Sequence, residues 1–253
     1  VVLKPLALAK DLQDRLRPPE DLKAEVPGVA PPAVRRVRWP KACRIVPTRY
    51  PAINLFDRVA DADEFDALHA LEAMTNERAR EELGHVDQVP REERLYGPGS
   101  GPIMAAFTHL NLSGSRFSVG RYGVFYAAHT RATAVAETRY HHARFLAATG
   151  EGPMHLPMRL YSVAVDARLH DLRPAGSVDP SVYAPDDYSA SQALGARLFA
   201  AGSAGVAYRS VRHPEGRCVG LFRPRGASRC VHAAYLLYAW DGQRFSDVYE
   251  KTA

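Results

Sequence analysis

The sequence predicts an α+β protein, because helical and strand patterns follow one another in irregular order and several strands are joined by local hairpins. Two turns carry that reading. Pro214-Glu215-Gly216 separates the apolar runs GVAYRSVR and CVGLFRPR, and Asp241-Gly242 separates Ala234–Trp240 from Gln243–Tyr249. Asp-Gly between alternating apolar residues is among the strongest short-range hairpin signals. Parallel, doubly wound sheets need helical crossovers instead, and no such regular alternation or internal repeat is present.

Residues 1 to about 40 read as an appendage, rich in proline (Pro18, Pro19, Pro27, Pro31, Pro32, Pro40) and closing on the basic run Arg35-Arg36-Val37-Arg38. A short helix is expected before Pro18. From Asp63 to Leu83, Phe65, Leu68, Leu71 and Met74 recur every third position, with Asp61 or Asp63 as N-cap and Gly84 after the end, which predicts an amphipathic helix. A polar Gly/Pro link from Val89 to Pro102 follows. The expected organisation is therefore an N-terminal extension over 1–88 and a catalytic domain over 89–253.

In the second part Tyr122–Ala128 (YGVFYAA) reads as a buried strand, and Thr130 caps a helix running to about Leu146. Met158–Val165 alternates as a strand. Asp187 or Ser189 caps a helix that ends at Gly202, and the two hairpins close the chain.

The 253 residues are 46% hydrophobic and 24% charged, which fits a globular chain rather than a disordered or fibrous one. No apolar run approaches the roughly 18–20 residues of a membrane span, and Lys4, Pro5 and Lys10 interrupt the N-terminal stretch, which has no cleavage-site pattern. The expectation is a cytoplasmic protein without a membrane partner. Cys43, Cys218 and Cys230 show neither CxxC spacing nor a nearby histidine pair, so no disulfide framework and no metal are expected. The net charge of +5 favours anionic partners such as nucleotides, phosphates or nucleic acid.

The segment GSRFSVGRYGVFYAAHTRATAVAETRYH places Arg116 on a Gly-rich turn, Tyr126 on a strand 10 residues later and Glu137 on a helix 11 residues after that. Ser210 stands in AYRSVRHPEGRCVGLFRP, a strand before a Pro- and Gly-containing turn and a second apolar strand. This pattern resembles the RES-domain family, named for its arginine, glutamate and serine, over roughly residues 90–235. The resemblance implies a fold related to ADP-ribosyltransferases and consumption of NAD or transfer of its ADP-ribose, usually by the toxin of a toxin-antitoxin pair. It also implies a cognate Xre-type antitoxin that blocks the NAD pocket, and family habit gives a homodimer. The long N-terminal extension departs from the family pattern and leaves oligomer geometry and antitoxin docking open.

The residue types suit that chemistry. Breaking the nicotinamide–ribose bond builds positive charge on the ribose, which a carboxylate such as Glu137 stabilises. Arg116 offers a planar fork to a diphosphate, Tyr126 a ring face and hydroxyl to nicotinamide, and Ser210 a hydrogen bond to the amide or ribose. Thr108 and His109 are further candidates for the same pocket. No base or nucleophile-elbow motif lies near Ser210, which argues against a serine nucleophile. The acceptor of ADP-ribose (water, phosphate or a protein) stays open.

Blander readings stand beside these. Glu137 forms an ordinary i to i+4 pair with His141, Tyr126 is a core strand residue, Ser210 is satisfied by backbone, and His141-His142 is a solvated pair that cannot share one ion. The second functional class is a basic nucleic-acid-binding module or nuclease, favoured by the pI near 9.2 and the Arg-rich N-terminus. The sequence carries no DNA-binding motif.

Overall fold

A computed structural model describes residues 31–50, 55–75 and 84–250. The helix expected before Pro18 lies outside the described residues, as does the predicted end of the Asp63–Leu83 helix.

The architecture is α+β. Its strands are β1 (Val34–Pro47), β2 (Phe125–Ala128), β3 (Met154–Asp171), β4 (Gly205–Arg209), β5 (Arg217–Leu221), β6 (Ala227–Trp240) and β7 (Phe245–Glu250). The helices are α1 (Leu55–Arg58), α2 (Ala62–Thr75), α3 (Gly101–Thr108), α4 (Arg131–Thr149) and α5 (Ser189–Ala200), with short 3-10 turns between them. The sheet order is β1-β2-β5-β4-β3-β6-β7, and β1 also pairs along β3. Because β1 bonds both β2 and β3, the first five strands in that order close into a ring. Only β3 with β4 is parallel; the other pairings are antiparallel.

Strand β1 lies in the stretch read as an appendage. Val37 and Trp39 point into the core while Arg36 and Arg38 point out, the alternation of a half-buried strand. A register shift between Trp39 and Ala42 moves the face toward this core from odd to even numbers, so Ala42 joins the same cluster as Val37 and Trp39 while Ile45 is buried in the other core. Pro40 sits in that shift, where a missing N–H costs no ladder bond. The basic run is matched within the chain: Arg36 forks onto Asp166 at 2.7 and 2.8 Å, and Arg35 lies 3.9 Å from Asp171.

The sheet has a core on each face. One cluster packs Val37, Val163, Ala207 and Val219 against Phe56, Phe65, Ile103 and Phe107 of α1, α2 and α3. The other packs Met158, Leu160, Val206 and Tyr208 against Ala134 and Leu146 of α4 and Leu194 and Leu198 of α5. Burying each such large side chain contributes roughly 1.5–3 kcal/mol. In α2, Asp61 is the cap, its Oδ1 accepting from the N–H groups of Asp63 and Glu64 at 2.9 Å.

Helix α3 departs from the sequence expectation; it begins inside the Val89–Pro102 link, with Pro102 in its first turn. The strand read from Tyr122 starts at Phe125, because Gly123 presses against Ala106 and Phe107 of α3, where a Cβ would collide with backbone.

Candidate active site

Helix α4 is held at both ends. Thr130 accepts from the N–H of Thr133 at 3.3 Å, and Gly150, at φ 68°, ends the helix in the left-handed conformation. Thr138 bonds the Tyr238 hydroxyl of β6 at 2.8 Å, which fixes the rotation of α4 on the sheet. Glu137, one residue before it, is thereby directed at the end of β4.

There Glu137 meets Ser210. The Ser210 hydroxyl donates to Glu137 Oε1 at 2.5 Å and accepts from the N–H groups of Arg212 and His213 at 3.1 and 3.0 Å. Its hydrogen-bonding capacity is filled. Behind the pair lie Tyr208 and Cys218, cross-strand partners that are both buried. Burial, together with the nearby Glu137 charge, pushes the Cys218 thiol well above its ordinary range, so it is an inert neutral wall.

Arg116 is presented by a turn built from Asn111 to Ser118. Asn111 Nδ2 donates to Gly114 O at 2.6 Å, and Gly114, at φ 78°, would bring a Cβ within 2.8 Å of Ser118 O. Glycine is required there. The Tyr126 hydroxyl accepts from the N–H of Phe117 at 3.0 Å and bonds Ser115 Oγ at 2.9 Å. Burial pushes this phenol up to about 12, so it remains protonated. From α5, Gln192 Nε2 donates to Ser115 O at 3.0 Å. Gly195 of α5 lies against Phe117 O so closely that a Cβ would overlap it.

The Arg116 side chain is buried, its Nη1 donating to Val182 O at 3.2 Å and Ala184 O at 3.0 Å while its Cζ sits 4.5 Å from the centre of the Tyr188 ring. Tyr188 is also 6.4 Å from the His141 ring, and His141 Nε2 is 4.0 Å from Glu137 Oε2. The two halves of the site thus meet across Tyr188 and His141. Desolvation and the guanidiniums of Arg212, Arg116 and Arg144 push His141 down to about 4, so near neutral pH it is uncharged and forms no ion pair with Glu137.

Glu137 and Ser210 are in direct contact, and Tyr126, on β2, reaches the Arg116 turn through its hydroxyl. Thr108 and His109 bond each other at 3.1 Å, and Thr108 O accepts from the N–H of His85 at 2.8 Å, which ties them to the segment after Gly84. They stand at the C-terminal end of α3, whose core contacts lie on the opposite face of the sheet from those of α4.

Two residues of the cluster were not singled out from the sequence, although Arg212 stands two positions after Ser210 in AYRSVRHPEGRCVGLFRP. Arg212 lies 3.2 Å above the Tyr140 ring and donates to Pro185 O, and its Nε is buried without a partner. The Tyr188 hydroxyl is likewise buried and unpartnered. Buried polar atoms without a partner are rare, and these two belong to residues that pack around the same cluster, Tyr188 over Arg116 and Arg212 over Tyr140. Among the described residues, no group of three or more His, Cys, Asp or Glu side chains is placed to hold a metal ion, and no helix is long and apolar enough to cross a membrane.

A carboxylate fixed by a serine, a guanidinium packed on an aromatic ring and two buried polar atoms without a partner thus gather around α4 and the end of β4. The RES domain matches residues 91–241, and the chain belongs to the RES-domain family. An uncharacterised protein of Sinorhizobium fredii (strain NBRC 101917 / NGR234), y4oC, is 30% identical over 212 residues, covering 81% of this chain and 85% of that protein. A crystal structure of the M. tuberculosis MbcT-MbcA toxin-antitoxin complex aligns over 97% of this chain and 94% of the matched chain, with a TM-score of 0.43 and 13% identity.

Proposed function

We propose that this RES-domain protein cleaves the nicotinamide–ribose bond of NAD and acts as the toxin of a toxin-antitoxin pair. The observation that carries the reading is the Ser210–Glu137 hydrogen bond at 2.5 Å, which holds one carboxylate oxygen and leaves Oε2 4.0 Å from Nε2 of His141, whose ring neighbours Tyr188. Family membership supplies the substrate class.

Each side chain has a role in that reaction. Nicotinamide leaves NAD as a neutral base, so the demand on the protein is to stabilise the cation developing on the ribose, and Glu137 meets it. Neutral His141 adds no competing positive charge. Arg116 keeps Nε and Nη2 for a diphosphate oxygen, since only Nη1 is committed to carbonyls. Tyr126 acts through the turn, because its hydroxyl already bonds Ser115 and Phe117. Tyr188 then offers the nicotinamide its ring and unpartnered hydroxyl, and Arg212 its Nε. Thr108 and His109 would join the pocket only by a path through the segment at Gly84.

The partner would be an antitoxin of the Xre type covering this site, and a homodimer remains part of the proposal. Three acceptors suit the chemistry: water, inorganic phosphate or a protein side chain. Chromatography of NAD incubations with and without inorganic phosphate, and with candidate protein acceptors, names the acceptor from the ribosyl product. Intact NAD under all three conditions would reject the reading.

A further inference from the structure

The ends of β4 and β5 border a hollow of about 1010 Å³ whose lining includes neither Glu137 nor Ser210. Side chains alternate across a strand, so Arg209 and Arg217 point to the opposite side of the sheet from their neighbours Tyr208 and Cys218 behind Glu137. Both arginines line this hollow.

Arg209 and Arg217 are direct cross-strand partners. Cβ atoms in such a pair are about 4.5–5.5 Å apart, and like charges placed there are destabilising. Among the described residues no carboxylate pairs with either guanidinium. The remaining lining does not cancel the charge. Asp171 is taken by Arg173 through Nε at 2.6 Å and Nη2 at 2.9 Å, so that couple is neutral. Glu215 contributes a single carboxylate on an exposed turn, at φ 59°.

Arg209 and the two histidines of the lining are held by packing or hydrogen bonds. Arg209 Cζ lies 4.8 Å from the centre of the Tyr183 ring, and His129 packs on Trp39 with ring centres 4.9 Å apart. His213 Nδ1 is 2.9 Å from Thr133 Oγ1. A concave surface with two guanidinium forks unpaired with any carboxylate among the described residues, a net positive lining and two oriented imidazoles suits an anion with several acceptor oxygens.

We infer that this hollow is a second, phosphate-binding site, which takes free phosphate or the phosphate groups of a nucleotide between Arg209 and Arg217. The repulsion between the two arginines is relieved when the anion is bound.

Calorimetric titration at low ionic strength tests this with three probes: inorganic pyrophosphate, inorganic phosphate alone and ADP-ribose. The proteins are the unmodified chain, Arg209→Gln, Arg217→Gln, Arg116→Gln and Arg168→Gln, the last an exposed arginine outside the hollow that controls for net charge. Losing a hydrogen bond to a charged group lowers affinity by about tenfold or more, so Arg209→Gln and Arg217→Gln should each weaken pyrophosphate binding in the hollow by that factor while Arg168→Gln leaves it unchanged; Arg116→Gln removes only pyrophosphate held at the proposed active site and leaves the Arg217-dependent binding in place. Arg217-dependent binding of phosphate alone identifies the free anion as ligand, and Arg217-dependent binding of ADP-ribose without phosphate identifies a nucleotide; either supports the site. Without anion, Arg217→Gln should melt no lower than the unmodified chain, and pyrophosphate should raise the midpoint of the unmodified chain and of Arg168→Gln more than that of Arg217→Gln. No saturable binding of any probe, or equal weakening by Arg168→Gln, overturns the inference. None of these readouts depends on NAD turnover.

Discussion

Ser210 Oγ donates to Glu137 Oε1 at 2.5 Å across 73 residues of sequence, and the same oxygen accepts the N–H groups of Arg212 and His213. With both backbone donors on the oxygen, the hydroxyl proton is left for the carboxylate. Ser210→Ala should therefore release the carboxylate and lower NAD turnover by about tenfold to a hundredfold, as expected for a lost charge-assisted hydrogen bond in the reacting state. Steady-state nicotinamide release measures this. Turnover within twofold of the unmodified protein would show that Glu137 keeps its position without Ser210.

Tyr126 is a structural support for Arg116 in this account. Removing its hydroxyl in Tyr126→Phe strands the N–H of Phe117, whose partner at 3.0 Å it was. Leaving such a buried donor unsatisfied costs about 1–3 kcal/mol. Denaturant unfolding should show the loss, and an unchanged midpoint would mean that the turn holds itself.

Gly195 tests the clamp between α5 and the Arg116 turn. A Cβ there overlaps the carbonyl oxygen of Phe117, which is backbone and cannot swing aside. Gly195→Ala should destabilise the fold by about 1–3 kcal/mol despite alanine's better helix propensity. A stabilised protein would contradict the close approach.

The legible features were the local ones. The Thr130 cap, the Asp61 cap and the Asp241-Gly242 turn depend on residues a few positions apart, and each forms where its pattern stood. Strand β1 was hidden because the shift at Pro40 breaks its alternation into two short pieces, each flanked by arginines that read as a solvated run. Helix α3 was hidden because its eight residues follow Gly97, Pro98 and Gly99, a composition that signals a loop. The motif singled out Glu137 and Ser210, which the structure brings into contact. Nothing in APDDYSAS signals that Tyr188 packs over Arg116, since the contact depends on the chain from Val182 to Ala184 folding back onto the Arg116 side chain.

Acid should weaken the fold through the histidines of α4. His141 and His142 are both pushed down to about 4 in the folded chain, chiefly by desolvation, from an ordinary value of 6.5. Between those values the unfolded chain binds more protons, so stability is full above about 6.5 and falls as pH drops towards about 4. Denaturation midpoints should decline across that window, and His142→Gln should flatten the decline. A decline identical in the variant would remove His142 from the account.

The most direct test is nicotinamide release from NAD by the unmodified protein and by Glu137→Gln, with matched denaturation midpoints to establish that both are folded. The account predicts a loss of at least about a hundredfold, the scale seen when one charge-stabilising group is removed from an active site. Release by Glu137→Gln at the rate of the unmodified protein would contradict it and move the chemistry away from this carboxylate.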